Sequence, residues 1–325
     1  MKLTFWGVRG SIPTPGRNTN VYGGNTTCLE VRSQTNDVYL IDAGSGIREA
    51  GNALMKEFRG NVKAKIFISH IHWDHIQGFP FFTPAYVPSC EVTVHSGDKD
   101  IARRLGEQSG TSDTAFLRRQ TLEASVAGNT TVMSKSPAVN HTKDVLNHQQ
   151  DVAKGYFPIS IDQMGSKLTF KDLKEYEIIE NGVCVNYMFH DAHPGGMFSY
   201  KMQEGNKILV FTGDYEHDGS GNFEFGPTDK KMIEWAKDAD AFIIDTQYTP
   251  KEYETKRKWG HSQIERACEL AAAANVKRVY MTHHDPLHTD EFLKTMEVQA
   301  QTYMRDVVKS DIPVCLAKEG MSVEV

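Results

Sequence analysis

Short apolar runs with period-2 alternation recur along this chain, each closed by a turn, and they predict a series of strands. In the first third they fall at 3–6, 28–31, 38–41, 64–68 and 91–95. Strand signals return at 168–170, 177–179, 183–189, 241–245 and 279–282. A hairpin pairs 198–202 with 207–212 across Glu204-Gly205-Asn206. Helical spacing predicts helices at 47–58, 99–108 and 229–237. Ser262 and Glu265 read as a capping box, followed by Ala267, Leu270, Ala271 and Ala274 at helical spacing. A final helix spans 290–307 with Phe292, Met296, Ala300, Tyr303 and Val307 as its inner face. Between 110 and 162 the pattern weakens to helical fragments near 114–124 and 144–153. That stretch reads as an insertion, serving as a lid or a dimer contact. No linker or composition shift divides the chain, so a single domain over 1–325 is expected.

Composition narrows the class. With 39% hydrophobic and 24% charged residues, the 325-residue chain reads as an ordinary soluble globular protein. A net charge of −6 disfavours a broad basic surface for nucleic acid. The five cysteines are odd in number and contain no CxxC pair, which suits reduced thiols in the cytoplasm. Neither a signal-peptide core nor an apolar run of bilayer length is present, so no membrane role is expected.

The chemistry sits where strands end. His70, His72, Asp74 and His75 fall within six positions after the strand at 64–68, and Gly78 and Pro80 follow as loop markers. Period-2 spacing puts His70 and His72 on one side of an extended segment. A turn can swing Asp74 and His75 towards a second point, so neighbouring metals could take one pair each. Asp42 leaves a buried strand at the same kind of edge, where it either orients a metal-bound histidine or caps the next turn. His193, Asp214 and His283 also close strand segments. Burying so many ionisable groups at one edge is costly unless something pairs them, and a dinuclear metal site would do so. His95, His141 and His148 read as ordinary strand or solvated residues. The 7–24 loop, rich in Gly, Pro and Asn, is either a site lining or plain surface.

The His-x-His-x-Asp-His run after a strand resembles the signature of the metallo-β-lactamase superfamily, over essentially the whole chain. The resemblance implies an α/β fold, a four-layer αβ/βα sandwich. It implies that His70, His72 and His193 hold one metal, that Asp74, His75 and His283 hold the other, and that Asp214 bridges them. His190 rivals His193, and His284 rivals His283. Two divalent ions are implied, zinc first, with manganese or iron also suited to a His/Asp set without thiolate. Two such ions with Asp74, Asp214 and a bridging hydroxide leave a formal charge of about +1, which suits a singly charged phosphodiester. Hydroxide generated between ions about 3.5–4 Å apart would attack the phosphoryl group. Asp74 would orient or deprotonate that nucleophile. His261, in Gly-His-Ser, either precedes a helix cap or protonates the leaving alkoxide, and phosphodiesterase branches that include the tRNA 3′-processing endonucleases (RNase Z) carry a matching histidine.

Trp6-Gly7-Val8-Arg9-Gly10-Ser11-Ile12-Pro13, Tyr22-Gly23-Gly24-Asn25-Thr26-Thr27-Cys28 and His283-His284-Asp285-Pro286 resemble the group of phosphoribosyl cyclic phosphodiesterases and cyclic-nucleotide phosphodiesterases. The bacterial tRNA nucleases carry a tRNA-gripping arm between the segments matching His193 and Asp214. Here only 20 residues separate them. The expected substrate is therefore a small anionic cyclic phosphodiester, a cyclic nucleotide before a nucleic acid polymer, handled by a homodimer. An RNase Z-like activity and a thioester or lactam hydrolase are the alternatives. Tyr22, Phe81, Tyr86 and Tyr156 are the residues considered for base stacking.

Overall fold

The structure, a computed structural model, describes residues 1–97, 141–155, 157–173 and 177–325. The expected helices at 99–108 and 114–124, Tyr156 and the His141 side chain lie outside that description. The first sheet takes β1 (Lys2–Gly7), β2 (Cys28–Arg32), β3 (Val38–Ile41), β4 (Lys63–Ile68), β5 (Glu91–Ser96) and β6 (Lys167–Asp172) in that order. The second takes β7 (Glu177–Glu180), β8 (Val183–His190), β9 (Met197–Glu204), β10 (Lys207–Phe211), β11 (Ala241–Asp245), β12 (Val279–Thr282) and β13 (Val314–Leu316). The last strand, β14 (Ser322–Glu324), returns to pair with β1. In each sheet an antiparallel half gives way to a parallel half, at β3 in the first and at β10 in the second.

Alternation along the strands explains the layering. Val38 and Leu40 face one side of the first sheet, with Ile47, Ala50 and Leu54 of α1 (Ile47–Glu57). Tyr39 and Ile41, one position out of phase, face the second sheet. Phe242 and Ile244 of β11 face the helices beyond, while Ala241 and Ile243 face inward. The three apolar cores are thus helix on sheet, sheet on sheet and sheet on helix, which gives the four-layer α/β sandwich expected of the sequence. A short helix follows β4, α2 (Trp73–Ile76), and the described part of the insertion contains α3 (His141–Gln149). Leu146 and Ile161 from this part pack into the outer core of the first sheet. His148 is exposed and His95 is buried, stacked on Phe67 at 4.7 Å, so neither joins a site. No helix among the described residues is long and apolar enough to cross a membrane.

Several helices depart from expectation. The helix expected at 229–237 is α4 (Pro227–Trp235), started earlier by Pro227 at its first turn. A further short helix, α5 (Pro250–Lys256), has a true capping box between Thr249 and Glu252. The Ser262–Glu265 box does not form. Ser262 and Gln263 stay outside the helix, paired with Tyr248, whose N–H donates to the Ser262 carbonyl and whose carbonyl accepts from Ile264 N–H. Helix α6 (Ile264–Ala273) therefore starts later, and the Gln263 side chain caps it. The final helix, α7 (Asp290–Asp306), buries Leu293, Met296, Ala300 and Met304. Met296 and Ala300 are buried as expected, but Leu293 and Met304 replace Phe292, which is 39% exposed, and Val307, which is exposed, while Tyr303 is partly buried. Leu293→Ala is expected to cost about 2–5 kcal/mol. Phe292→Ala should cost less than about 1 kcal/mol, and denaturant unfolding of both variants checks the ordering.

Candidate metal centre

All the strand ends named from sequence open on one edge of the sandwich. The parallel strands β3, β4, β11 and β12 reach it with their carboxyl ends, where ligands gather in open α/β sheets. β4 hands over to Ser69–His75, β10 to Asp214 and β12 to His283. Two groups of potential ligand atoms form there, His70, His72, His193 and Asp214 in one, Asp74, His75, Asp214 and His283 in the other.

The second group has the dimensions of an ion site. His75 Nε2 lies 3.3 Å from Asp74 Oδ2, 3.2 Å from Asp214 Oδ1 and 3.4 Å from His283 Nε2. His283 Nε2 lies 3.1 Å from each of the same two oxygens. A tetrahedral ion with ligands about 2.0–2.2 Å away would separate them by about 3.3–3.6 Å. In the first group Asp214 presents its other oxygen, Oδ2, at 3.5 Å from His70 Nε2 and 3.7 Å from His193 Nε2. His72 Nδ1 faces His193 Nε2 at 2.9 Å. His70 Nε2 is buried with no hydrogen-bond partner, which a divalent ion would remedy.

The ring nitrogens behind these atoms are held. His75 Nδ1 donates to Asp42 Oδ2 at 2.7 Å, and Ser69 N–H and Oγ–H donate to the same carboxylate. Asp42 thus orients a candidate ligand rather than capping the turn. His193 Nδ1 donates to the Gly260 carbonyl at 2.8 Å. Asp42 and His283 both adopt left-handed backbone, at φ of 63° and 62°. Such strain costs on the order of 1–3 kcal/mol and concentrates at functional sites.

Electrostatics follow from this crowding. Burial opposes charge on His75, yet Asp214, Asp74 and Asp42 hold its pKa well above the ordinary range. His283 is likewise raised to about 9, against burial, by Asp214, Asp74 and Asp245. Asp74 and Asp214 sit well below ordinary carboxylates, since their histidine neighbours outweigh burial. Burial drives His193 down to about 4, with His261 and His72 adding to it. The metal-free centre therefore balances its carboxylates with protons on His75 and His283.

His190 and His284 stand apart from both groups. His190 Nε2 pairs with Ser199 Oγ at 2.8 Å, and His284 Nε2 donates to the Ala317 carbonyl. His261 joins a third group through Asp245, which accepts from His261 Nδ1 at 2.8 Å. Asp245 ends a buried strand as Asp42 does, and that parallel was the signal for it in the sequence. Ser11 was also missed. Its N–H donates to Asp74 Oδ2 at 2.8 Å, so the 7–24 loop lines the centre. Nothing in the sequence marked a backbone donor. Of the aromatic residues considered for stacking, Tyr22 is buried with its hydroxyl on Glu297, and Tyr86 donates to the Pro80 carbonyl. Phe81 is exposed against Phe157.

The sequence profile of the beta-lactamase superfamily domain matches residues 38–284. A Ribonuclease Z from Listeria innocua is 24% identical over 313 residues, covering 93% of this chain and 94% of the relative. The metallo-beta-lactamase fold protein YhfI from Bacillus subtilis superposes with a TM-score of 0.62 at 16% identity, over all of this chain and 98% of that one. A diphosphatase from the PhnP family superposes with a TM-score of 0.60 at 15% identity, over all of this chain and 97% of that one.

Zinc loading of the metal-free protein at pH 7 should release at least two protons, because coordinating imidazoles must be neutral. The sign follows from the raised values: affinity climbs as pH rises through about 9, where His283 gives up its proton, and His75, also raised, works in the same direction. Calorimetry in buffers of different ionisation enthalpy reads the count, and a proton-neutral reaction contradicts it. Asp42→Ala should weaken metal binding about 10–100-fold.

Proposed function

The chain belongs to the beta-lactamase superfamily, and on that premise we propose that it is a two-metal phosphodiesterase acting on a small cyclic phosphodiester, a cyclic nucleotide first. His70, His72 and His193 would hold one ion, Asp74, His75 and His283 would hold the other, and Asp214 would serve both. Divalent ions so placed lower the pKa of water and withdraw charge from a phosphoryl group. Zinc suits the donor set first, and manganese or iron also suit it.

The observation that carries the phosphodiester reading is His261. Its Nδ1 is committed to Asp245, so Nε2 is left to give a proton to a departing oxygen. Its ring stacks on that of His283 at 4.8 Å and lies 5.0 Å from that of His193, within reach of both donor groups. A poor leaving group such as a ribose alkoxide needs that proton. A lactam or thioester hydrolase would not need it. Asp74, held by Ser11 N–H, orients the attacking water and accepts its proton.

The turn between β9 and β10 favours a small substrate. Glu204 pairs directly with Lys207, so only Gly205 and Asn206 connect the strands. No RNA-gripping arm occupies this position, between His193 and Asp214. The second reading, cleavage of an RNA 3′ end, is favoured by the likeness to Ribonuclease Z along more than nine-tenths of both chains.

A hydrolysis panel separates the two readings. Cyclic mononucleotides, cyclic dinucleotides, a bis-aryl phosphodiester and precursor tRNA are each tested with zinc and with manganese. Turnover of cyclic nucleotides is expected, and processing of tRNA alone would overturn the small-substrate choice. His261→Ala should lower kcat about 10²–10⁴-fold with metal content retained. An unchanged kcat would remove the proton-donor role.

A further inference from the structure

The loop that carries His261 into the site is unlike its surroundings. Arg257, Lys258 and Trp259 are consecutive and exposed in a chain of net charge −6. Neighbouring Lys256 is committed to Asp285 at 3.0 Å. Arg257 lies over the Tyr253 ring, and neither it nor Lys258 has a carboxylate partner among the described residues. Trp259 is 60% exposed. The chain has four tryptophans, and Trp6 and Trp235 are engaged, by Glu30 and Lys201 respectively. The fourth, Trp73, is 77% exposed and directly follows His72.

This loop is not loose. The Glu216 carboxylate accepts from Tyr253 Oη, Lys258 N–H and Gly260 N–H at 2.6, 2.6 and 2.7 Å. Gly260, at φ 89°, presses so closely on the centre that a Cβ there would lie 2.3 Å from His193 Nδ1. The backbone that carries two exposed cations and an exposed aromatic ring is therefore held within a few residues of the candidate proton donor. Exposed cations with an adjacent stacking surface are how proteins hold nucleotides without reading their edges.

We propose that this loop is the recognition element of the site, with Arg257 and Lys258 binding a second phosphate beside the scissile one and Trp259 stacking a base. The substrate class is then a nucleotide with at least two phosphates, such as a cyclic dinucleotide or an RNA end, rather than a cyclic mononucleotide. This rests on the phosphodiesterase reading for what happens at the first phosphate, while recognition by the loop is measurable without turnover.

Calorimetric binding to the zinc-loaded protein tests it with three probes that are not phosphodiesters: adenosine 3′,5′-bisphosphate, AMP and ribose 5-phosphate. The bisphosphate should bind at least about 10-fold tighter than AMP at low salt, with the advantage shrinking as salt rises. The Arg257→Ala/Lys258→Ala variant should cut that ratio to below about 3-fold. AMP should bind about 5–150-fold tighter than ribose 5-phosphate, Trp259→Ala should abolish the difference and Trp259→Phe should keep most of it. Ratios near one in the natural protein, or ratios untouched by the variants, would overturn the proposal. Competition against the bisphosphate by a cyclic dinucleotide and by a short RNA separates the two sources, and competition by neither also overturns it. If hydrolysis of every phosphodiester fails while the binding ratios hold, the loop assignment stands and the catalytic reading falls.

Discussion

One carboxylate, that of Asp214, ties this structure together. It is fully buried, and its two oxygens point into two different histidine clusters. A buried carboxylate is tolerable only when opposite charge surrounds it. Without ions that charge comes from protonated His75 and His283. With ions, the protons leave and the same oxygens face cations. Of the groups gathered at this edge, His70, His75 and His283 are the ones that answer this charge.

Much of this was legible in the chain. The strands are short apolar runs followed at once by His or Asp, and such residues at strand ends have no apolar face to hide in. The His-x-His-x-Asp-His spacing named four of the residues that meet, and the settings of His193, Asp214 and His283 named the rest. His190 and His284 could not be dismissed from spacing alone. Their exclusion depends on Ser199 and the Ala317 carbonyl, which come from elsewhere in the fold.

What was misread has a common cause. Ser262 and Glu265 have the right spacing for a capping box, but Tyr248 claims the backbone at 262–264 first. The expected stripe of α7 was right at Met296 and Ala300 and wrong at its ends, since periodicity alone does not choose between neighbouring apolar positions. Leu293 and Met304, rather than Phe292 and Val307, join the outer core of the second sheet. Asp245 and Ser11 act through a carboxylate behind a ring and through a main-chain N–H. Neither has a sequence signature of its own. In each case a tertiary partner, distant in the chain, decided between local options.

The long reach of these contacts bears on when the centre can come into being. His75 and His283 approach within 3.4 Å across 208 positions of sequence, and one cluster draws on both sheets. Closing so long a loop carries an entropy cost that is met before the contact returns anything. Until the second sheet has docked, the amino-terminal half offers an ion only the His70–His75 fragment, whose four groups do not complete either cluster. Any choice among metals would thus fall to the finished sandwich, where spacing rather than raw affinity discriminates. An ion that settles there also acts as a rivet between the two halves of the molecule, resisting their separation from the edge where the sheets are open.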